Sequence, residues 1–215
     1  GQVPSVVRRA FQEARTSPTG PVFVGMSANA FDDIADVNIA PSTEMAANSS
    51  ADPAAIDEVV GLLSRAEKPI MIIGDRLAGA NVDAVRLAET AGIPVYGHGS
   101  AEVNFPASHP LWQGNLSVRA PQAIEAIRSA DLILAIGCTV FDDFFYQPGS
   151  VIGPGTSLVH IDSDPGSIGK SEPTDIGILA APPAVVSQLA DAVSEIFTGT
   201  RAEEAALRVR EAKAA

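Results

Sequence analysis

The feature that most constrains the fold of this chain is a set of short apolar runs that end in glycine. Residues 70–73 are followed by Gly74, and residues 132–136 are followed by Gly137. A continuous apolar run of this length is typical of a strand buried on both faces of a parallel sheet. Parallel strands need a crossover connection between them, so we expect helices in the segments that separate the runs.

A helical pattern precedes the first run. Asp52 is a good helix cap, and Pro53 is tolerated at the first helical position. The apolar positions that follow share one helical face. They are Ile56, Val59, Val60 and Leu63.

The same alternation continues along the chain. The further predicted strands are 93–96, 158–162 and 176–179, and the further predicted helices are 83–91, 121–129 and a last one with Val186, Leu189, Val193 and Ile196 on one face. The sequence therefore predicts an α/β fold. We expect a Rossmann-like, doubly wound sheet of about six mostly parallel strands with helices on both faces.

The two ends of the chain depart from this alternation. Residues 5–15 have helical spacing, turn residues at 18–21 end that helix, and the apolar residues 22–24 predict a short strand. Residues 27–50 show no sustained period, which is typical of a long surface connection and indicates a domain boundary. Residues 201–215 are rich in Ala, Glu and Arg and predict a solvated helix or a tether to another domain.

The charge of the chain argues against two classes of partner. It carries 14 Lys and Arg against 26 Asp and Glu, for a formal charge of −12. Such a surface repels phosphodiester backbones and anionic lipids, so we expect neither nucleic acid nor membrane as a partner. The first residues lack the features of a signal peptide, and the single thiol, Cys138, suits a reducing compartment. We therefore expect a cytoplasmic protein.

Glycine and polar residues follow the predicted strands, and in an open parallel sheet they meet at the carboxyl edge, where ligands bind. The candidate ligand residues are Gly74, Asp75, Arg76, Gly137, Thr139 and Asp162. However, residues 74–79 do not match the Gly-x-Gly-x-x-Gly fingerprint of dinucleotide-binding folds. Two interpretations stay open, a nucleotide crevice and the tight turns of a parallel sheet, and the residues favour the turns.

Metal binding and histidine chemistry receive less support from the residues alone. The acid pairs at 32–33, 142–143 and 162–164 lack the further oxygen ligands of a calcium loop, so we expect no metal site. His109 lies in a loop, 105–114, with one Trp and two Pro, and loops often carry function. No nucleophile motif accompanies it, so its local sequence favours a structural role.

Several segments, taken together, resemble the thiamine-diphosphate-dependent decarboxylases and acetolactate synthases. They are GPVFV at 20–24, AEKPI at 66–70, FPASHPLWQG at 105–114, ADLIL at 130–134 and HIDSDPGSIGK at 160–170. The resemblance covers nearly the whole chain but only the middle third of such an enzyme. It implies four parts: 1–26 as the end of a pyrimidine-binding domain, 27–51 as a linker, 52–199 as the central Rossmann-like domain, and 200–215 as a helical tether toward a diphosphate-binding domain.

The resemblance also implies a function. Such enzymes are lyases that use thiamine diphosphate and Mg²⁺ to decarboxylate a 2-keto acid or to join two such units, and the binding motifs for both lie in the other domains. The expected partners are these domains of the same enzyme, within a homo-oligomer. Segments 137–141, 146–149 and 154–156 resemble benzoylformate decarboxylase, where the matching histidine relays a proton; this role falls on His109.

Relatives of this kind differ in what the crevice of the central domain binds. The central domain binds FAD in acetolactate synthases, ADP in oxalyl-CoA decarboxylase and nothing in benzoylformate decarboxylase. Residues 141–143 resemble acetolactate synthase, so Asp142 keeps FAD open, although the other segments favour an empty crevice. The rival interpretation is a free nucleotide-binding module, such as the sheet of NAD-using deacylases, in which 137–140 and Asp162 would hold the ligand.

Overall fold

The computed structural model describes residues 2–32, 34, 36–43, 45, 48–99, 102, 104–116, 120–142 and 148–214. The chain divides into two compact units, Gly1–Ala47 and Asn48–Ala215. All strands of the described residues belong to the second unit.

The first unit contains one helix, α1 (Val3–Arg15), and a 3-10 turn at Ala28–Phe31. The predicted strand at 22–24 is wrong, because no strand occurs in the part of this unit that the structure describes. An apolar run becomes a strand only when a neighbouring strand supplies hydrogen bonds. Phe23 is instead 94% exposed.

The second unit contains a six-stranded sheet in which every pairing is parallel. Its strands are β1 (Pro69–Ile73), β2 (Val95–His98), β3 (Trp112–Leu116), β4 (Leu132–Ile136), β5 (Ser157–Asp162) and β6 (Ile176–Leu179). Their order across the sheet is β3-β2-β1-β4-β5-β6. The chain winds outward from β1 in one direction and from β4 in the other, so the sheet is doubly wound, with its switch between these two strands. The predicted Rossmann-like α/β fold is confirmed.

Helices cover both faces of the sheet. On one face lie α2 (Pro53–Leu63), α3 (Asn81–Ala91) and α5 (Pro182–Ile196), and on the other lies α4 (Pro121–Ser129). Met71 and Ile73 of β1 join the first core, whereas Ile70 and Ile72 join the second. Successive side chains of a strand point to opposite faces, which is why this run is apolar throughout.

The helix ends follow local chemistry. The Asp52 side chain accepts a hydrogen bond from Ala54 N at 2.9 Å, which caps α2 as its sequence predicts. α3 ends at Gly92, whose φ of +63° lies in the left-handed region that glycine adopts without strain. None of the helices in the described ranges combines the length and apolarity needed to cross a membrane.

One strand is absent from the sequence-based prediction. β3 lies at the sheet edge, inside a segment interpreted as a long loop, and its pairing with β2 is irregular between Val95 and Gly97. Two of its five residues, Gln113 and Asn115, are polar, and Gly114 sits between them at a φ of +85°. Polar composition and an interior glycine both weaken a strand signal.

The last helix, α6 (Thr200–Ala214), packs against α3 within the second unit. Ala205 is buried next to Gly92, and Arg208 donates to the carbonyls of Ala91 at 2.7 Å and Gly92 at 3.1 Å. These carbonyls lie at the end of α3, where helical partners are lacking. This contact shows that α6 is not wholly solvated; its role as a tether stays a prediction.

Candidate functional site

The carboxyl edge of the sheet is closed at its centre, because the turns that follow β1 and β4 touch each other. Arg76 N donates to Gly137 O at 3.1 Å. A Cβ atom on Gly74 would lie 2.5 Å from the Cβ of Cys138, and one on Gly137 would lie 2.8 Å from Leu77 N. Gly137 also has a φ of +65°. Glycine is therefore needed at both positions for the chain to approach itself.

Arg76 and Asp162 form a two-point ion pair across this edge. Arg76 Nε lies 2.7 Å from Asp162 Oδ1, and Nη2 lies 2.7 Å from Oδ2. The Asp162 side chain is 0% exposed and that of Arg76 is 28% exposed. Burial by itself lowers the pKa of Arg76, but the hydrogen bonds and charge of Asp162 outweigh burial and raise that pKa above its ordinary value. The pair links the turn after β1 to the end of β5.

The buried hydroxyl of Ser167 extends this pair into a network. Its Oγ lies 3.1 Å from Arg76 Nη2 and 2.9 Å from Thr139 Oγ1. It also donates to Asp164 Oδ2 at 2.8 Å. The hydrogen bond from Gly166 N and then the one from Ser167 lower the pKa of Asp164. Ser167 thereby joins the turns after β1, β4 and β5.

Two further contacts connect the segments that follow β4 and β5. Lys170 Nζ lies 2.6 Å from Asp142 Oδ2, with both side chains about half exposed. Glu172 is buried and accepts hydrogen bonds from Val151 N and from Ser150 Oγ, the latter at 3.0 Å. Both acidic side chains are thus engaged by the protein itself.

On the β1 and β2 side of the edge, Asp75 accepts a hydrogen bond from Glu102 N. Asn104 Nδ2 donates to Gly74 O at 2.8 Å. His98 ends β2, and burial lowers the pKa of its imidazole, with the charges of Asp75, Arg76 and Asp142 acting more weakly. The loop after β2 is therefore anchored on the turn after β1.

His109 lies away from this edge. Its Nε2 is 3.2 Å from Glu89 Oε1 on α3, and its Nδ1 accepts from Leu111 N at 3.2 Å. Leu111 O in turn accepts from Val95 N, at the beginning of β2 and thus at the opposite end of the sheet. The Phe105 ring meets the imidazole edge-on, at 5.1 Å between centroids. The His109 side chain is 13% exposed.

Two buried groups near the crevice have structural roles. Burial raises the pKa of the Cys138 thiol to about 12, so the thiolate that would react is scarce near neutral pH. Burial lowers the pKa of His160, which is 1% exposed. His160 Nε2 donates to Cys138 O at 2.8 Å, and its Nδ1 has no hydrogen-bond partner among the described residues.

The structure brings together only some of the residues that the sequence nominates. Arg76, Asp162 and Thr139 share one network; Gly74 and Gly137 form its backbone contact; Asp75 and Asp142 flank it; and His109 is separate. The sequence-based candidates omit Ser167 and Glu172, and Asp164 is considered there only as part of an acid pair for metal binding. The turn at Asp164-Pro165-Gly166 is readable, but no local pattern shows that it brings Ser167 onto Arg76.

A metal site is not found in the part of the chain that the structure describes. No three side chains among its His, Cys, Asp and Glu residues come together as metal ligands.

Comparison with known proteins identifies the family. Residues 56–189 match the family model described as thiamine pyrophosphate enzyme, central domain. The chain therefore belongs to the thiamine pyrophosphate enzymes and carries their central domain. Thiamine diphosphate is the cofactor of this family, as the resemblance implies.

Two curated relatives illustrate the range of activities. Benzoylformate decarboxylase of Pseudomonas aeruginosa is 30% identical over 177 residues, which cover 79% of this chain and 33% of that protein. A probable acetolactate synthase large subunit of Methanocaldococcus jannaschii is 29% identical over 187 residues, covering 83% of this chain and 32% of that protein. The chain thus spans about a third of the length of the curated relatives it matches.

Solved structures agree with the fold. A structure described as a putative thiamin diphosphate-dependent enzyme from Mycobacterium smegmatis matches 88% of this chain with a TM-score of 0.75 and 25% identity, over 37% of its own length. A 4-hydroxybenzoylformate decarboxylase from Rhodococcus jostii matches 89% of this chain with a TM-score of 0.72 and 26% identity, again over 37% of its length. Decarboxylases and synthases both occur among the relatives.

Proposed function

We propose that this chain is the central part of a thiamine-diphosphate-dependent decarboxylase that acts on a 2-keto acid of the benzoylformate type. The observation that carries the proposal is the match of 89% of this chain to a 4-hydroxybenzoylformate decarboxylase, with a TM-score of 0.72 and 26% identity. The benzoylformate decarboxylase of Pseudomonas aeruginosa supports the same substrate class. Carboligation is the second candidate, because acetolactate synthases are also among the relatives.

The proposal assigns the chemistry largely to other parts of the enzyme. Thiamine diphosphate, when bound, supplies the carbanion stabilisation that allows carbon dioxide to leave a 2-keto acid. The pyrimidine- and diphosphate-binding domains of the same polypeptide hold it with Mg²⁺, and the enzyme is a cytoplasmic homo-oligomer. The short span relative to the curated relatives supports the further domains. The single cysteine supports the cytoplasmic location, because a reducing compartment does not favour disulfides.

The same proposal divides the chain into the end of a pyrimidine-binding domain (1–26), a linker (27–51), the central domain (52–199) and a helical tether (200–215). Exposed apolar side chains in residues 1–26 support the assignment of this segment to a larger pyrimidine-binding domain, because such side chains are normally covered. They include Phe11 and Phe23, which are both more than half exposed. In this proposal the second unit has a structural role, and the hydrogen bonds at the carboxyl edge of its sheet hold the turns there in place.

His109 is the candidate proton carrier of this enzyme. Because its Nδ1 accepts from Leu111 N, the neutral ring carries its proton on Nε2, the atom next to Glu89. Imidazole is the side-chain group most often used as a general acid, which suits protonation of a product carbon. The Glu89 contact must open before Nε2 reaches a substrate.

The substrate experiment uses the whole polypeptide that contains this chain, loaded with thiamine diphosphate and Mg²⁺. We expect carbon dioxide and benzaldehyde from benzoylformate, and no acetolactate from pyruvate. Acetolactate from pyruvate would instead establish the second candidate. Failure to consume either acid would contradict both.

A separate experiment tests His109. His109→Ala should lower kcat at least about 100-fold, the ordinary contribution of general acid catalysis. Glu89→Gln is the matched control, because it removes the charge beside the ring and leaves the ring in place. Unchanged kcat in His109→Ala would remove the proton role and leave the decarboxylase assignment standing.

A further inference from the structure

On its β1 side, the crevice at the switch between β1 and β4 has no helix terminus of the kind that nucleotide binding uses. In dinucleotide-binding folds the pyrophosphate rests on the N-terminus of a helix that directly follows the first strand. In this chain β1 is followed by a three-residue 3-10 turn, Asp75–Leu77, and α3 begins only at Asn81. Asp75 also places a carboxylate at the start of that turn.

The glycines of the crevice are occupied by the chain itself. In a nucleotide site, glycine removes a side chain so that a phosphate can approach the backbone. Here the space beside Gly74 is taken by Cys138 and Gly137, and the space beside Gly137 is taken by the backbone of Arg76 and Leu77. These two glycines therefore leave no opening for a phosphate between their turns.

The acceptor that would hold a ribose is also occupied. An acidic side chain at a strand end commonly accepts the ribose hydroxyls. Asp162 is the acid that ends β5, but Arg76 binds both of its oxygens and Asp164 N donates to Oδ1 at 2.8 Å. Its side chain is 0% exposed, so a ribose reaches it only after Arg76 is displaced.

The charge of the edge opposes a phosphate as well. The three segments that build it are 74–78, 137–142 and 162–170. Together they carry the carboxylates Asp75, Asp142, Asp162 and Asp164 and the cations Arg76 and Lys170. Both cations already bind carboxylates, Arg76 that of Asp162 and Lys170 that of Asp142. An incoming diphosphate would meet an excess of negative charge.

We propose that Arg76 closes this crevice as a built-in occupant, so that the protein takes up neither FAD nor ADP there. Arg76 thereby acts together with the packed glycines and the excess of carboxylates to keep nucleotides out of the crevice. The FAD-binding and ADP-binding alternatives do not fit the residues present. This closure is independent of whether the enzyme decarboxylates its substrate or joins two of them.

The test uses the whole polypeptide, saturated with thiamine diphosphate and Mg²⁺ so that its diphosphate site is filled. The purified protein is examined for flavin absorbance and then titrated with FAD and with ADP by calorimetry. Hydrogen exchange of the Gly74 to Leu77 amides is measured in parallel, for the wild type, for Arg76→Ala and for Arg86→Ala. Arg86 is the matched control, because it too makes charged hydrogen bonds, to Asp83 and Asp191, but lies on the surface.

We expect no flavin absorbance in the purified protein and no binding of FAD or ADP with a dissociation constant below about 1 mM. We expect the Gly74 to Leu77 amides to exchange about tenfold faster or more in Arg76→Ala, and at the wild-type rate in Arg86→Ala. Stoichiometric FAD, or micromolar binding of FAD or ADP to the wild type that Arg76→Ala abolishes or alters, would overturn the closure. Exchange that is unchanged in Arg76→Ala would show that Arg76 does not close the crevice, even if no nucleotide binds.

Discussion

The Arg76–Asp162 pair predicts a large stability difference between two similar arginine substitutions. Arg76→Met keeps a side chain of similar length but leaves the fully buried Asp162 carboxylate without its two-point partner. Removing one member of a buried ion pair costs about 3–5 kcal/mol. Because the Arg76 side chain is 28% exposed, water can enter after the substitution, and we expect the lower end, about 3 kcal/mol.

Urea and thermal unfolding, followed by far-UV circular dichroism, measure this cost. For a domain of this size, about 3 kcal/mol corresponds to a fall in Tm of roughly 6–12 °C. Arg86→Met is the control: Arg86 lies 2.9 Å from Asp83 and 2.6 Å from Asp191, but these surface contacts contribute little. Equal unfolding midpoints for the two variants would refute the structural importance of the Arg76–Asp162 pair.

Three further predictions concern other buried groups. The folded state lowers the pKa of His160 below its ordinary 6.5, so the unfolded chain binds more protons than the folded chain below that pH. The free energy of unfolding should therefore fall between pH 7 and pH 5, by up to about 1.4 kcal/mol per pH unit. His160→Asn should reduce this slope in urea titrations, and an unchanged slope would contradict the buried neutral ring. The Cys138 thiol, with its pKa of about 12, should react with a disulfide reagent at pH 8 only in denaturant; prompt reaction of the native protein would contradict its burial. Gly92→Ala should loosen α6, since its Cβ would lie 2.8 Å from Ala205 Cα, whereas Gly79→Ala, also at positive φ but with open space around it, should not; limited proteolysis of α6 distinguishes the two variants.

Local sequence patterns predict the elements whose structure depends mainly on their own residues. β1 and β4 are apolar throughout because they are buried on both faces, and that burial is visible as an uninterrupted run of residues. β3 is different, because it is an edge strand whose pairing with β2 supplies what its own polar residues lack. The apolar residues 22–24 show the reverse case, since they have strand composition but no strand beside them among the described residues of the first unit.

The crevice shows the same limit for function. Gly74, Arg76, Gly137, Thr139 and Asp162 are recognisable because they follow strands, and all of them do lie at one edge. The sequence does not show which of these edge residues hydrogen-bond to each other. The hydrogen bonds that close the edge join residues as many as 91 positions apart, as between Arg76 and Ser167. Such contacts depend on tertiary packing, which also explains why a crevice suggested by composition is filled by the chain's own side chains.

The most direct test of the central claim is the cofactor dependence of keto-acid turnover by the whole polypeptide that carries this chain. Release of carbon dioxide from benzoylformate is measured after removal of thiamine diphosphate and again after its addition. We predict that release is lost without the cofactor and restored with it, with no effect of added FAD. Release that does not depend on thiamine diphosphate, or no release with the cofactor present, would contradict the account.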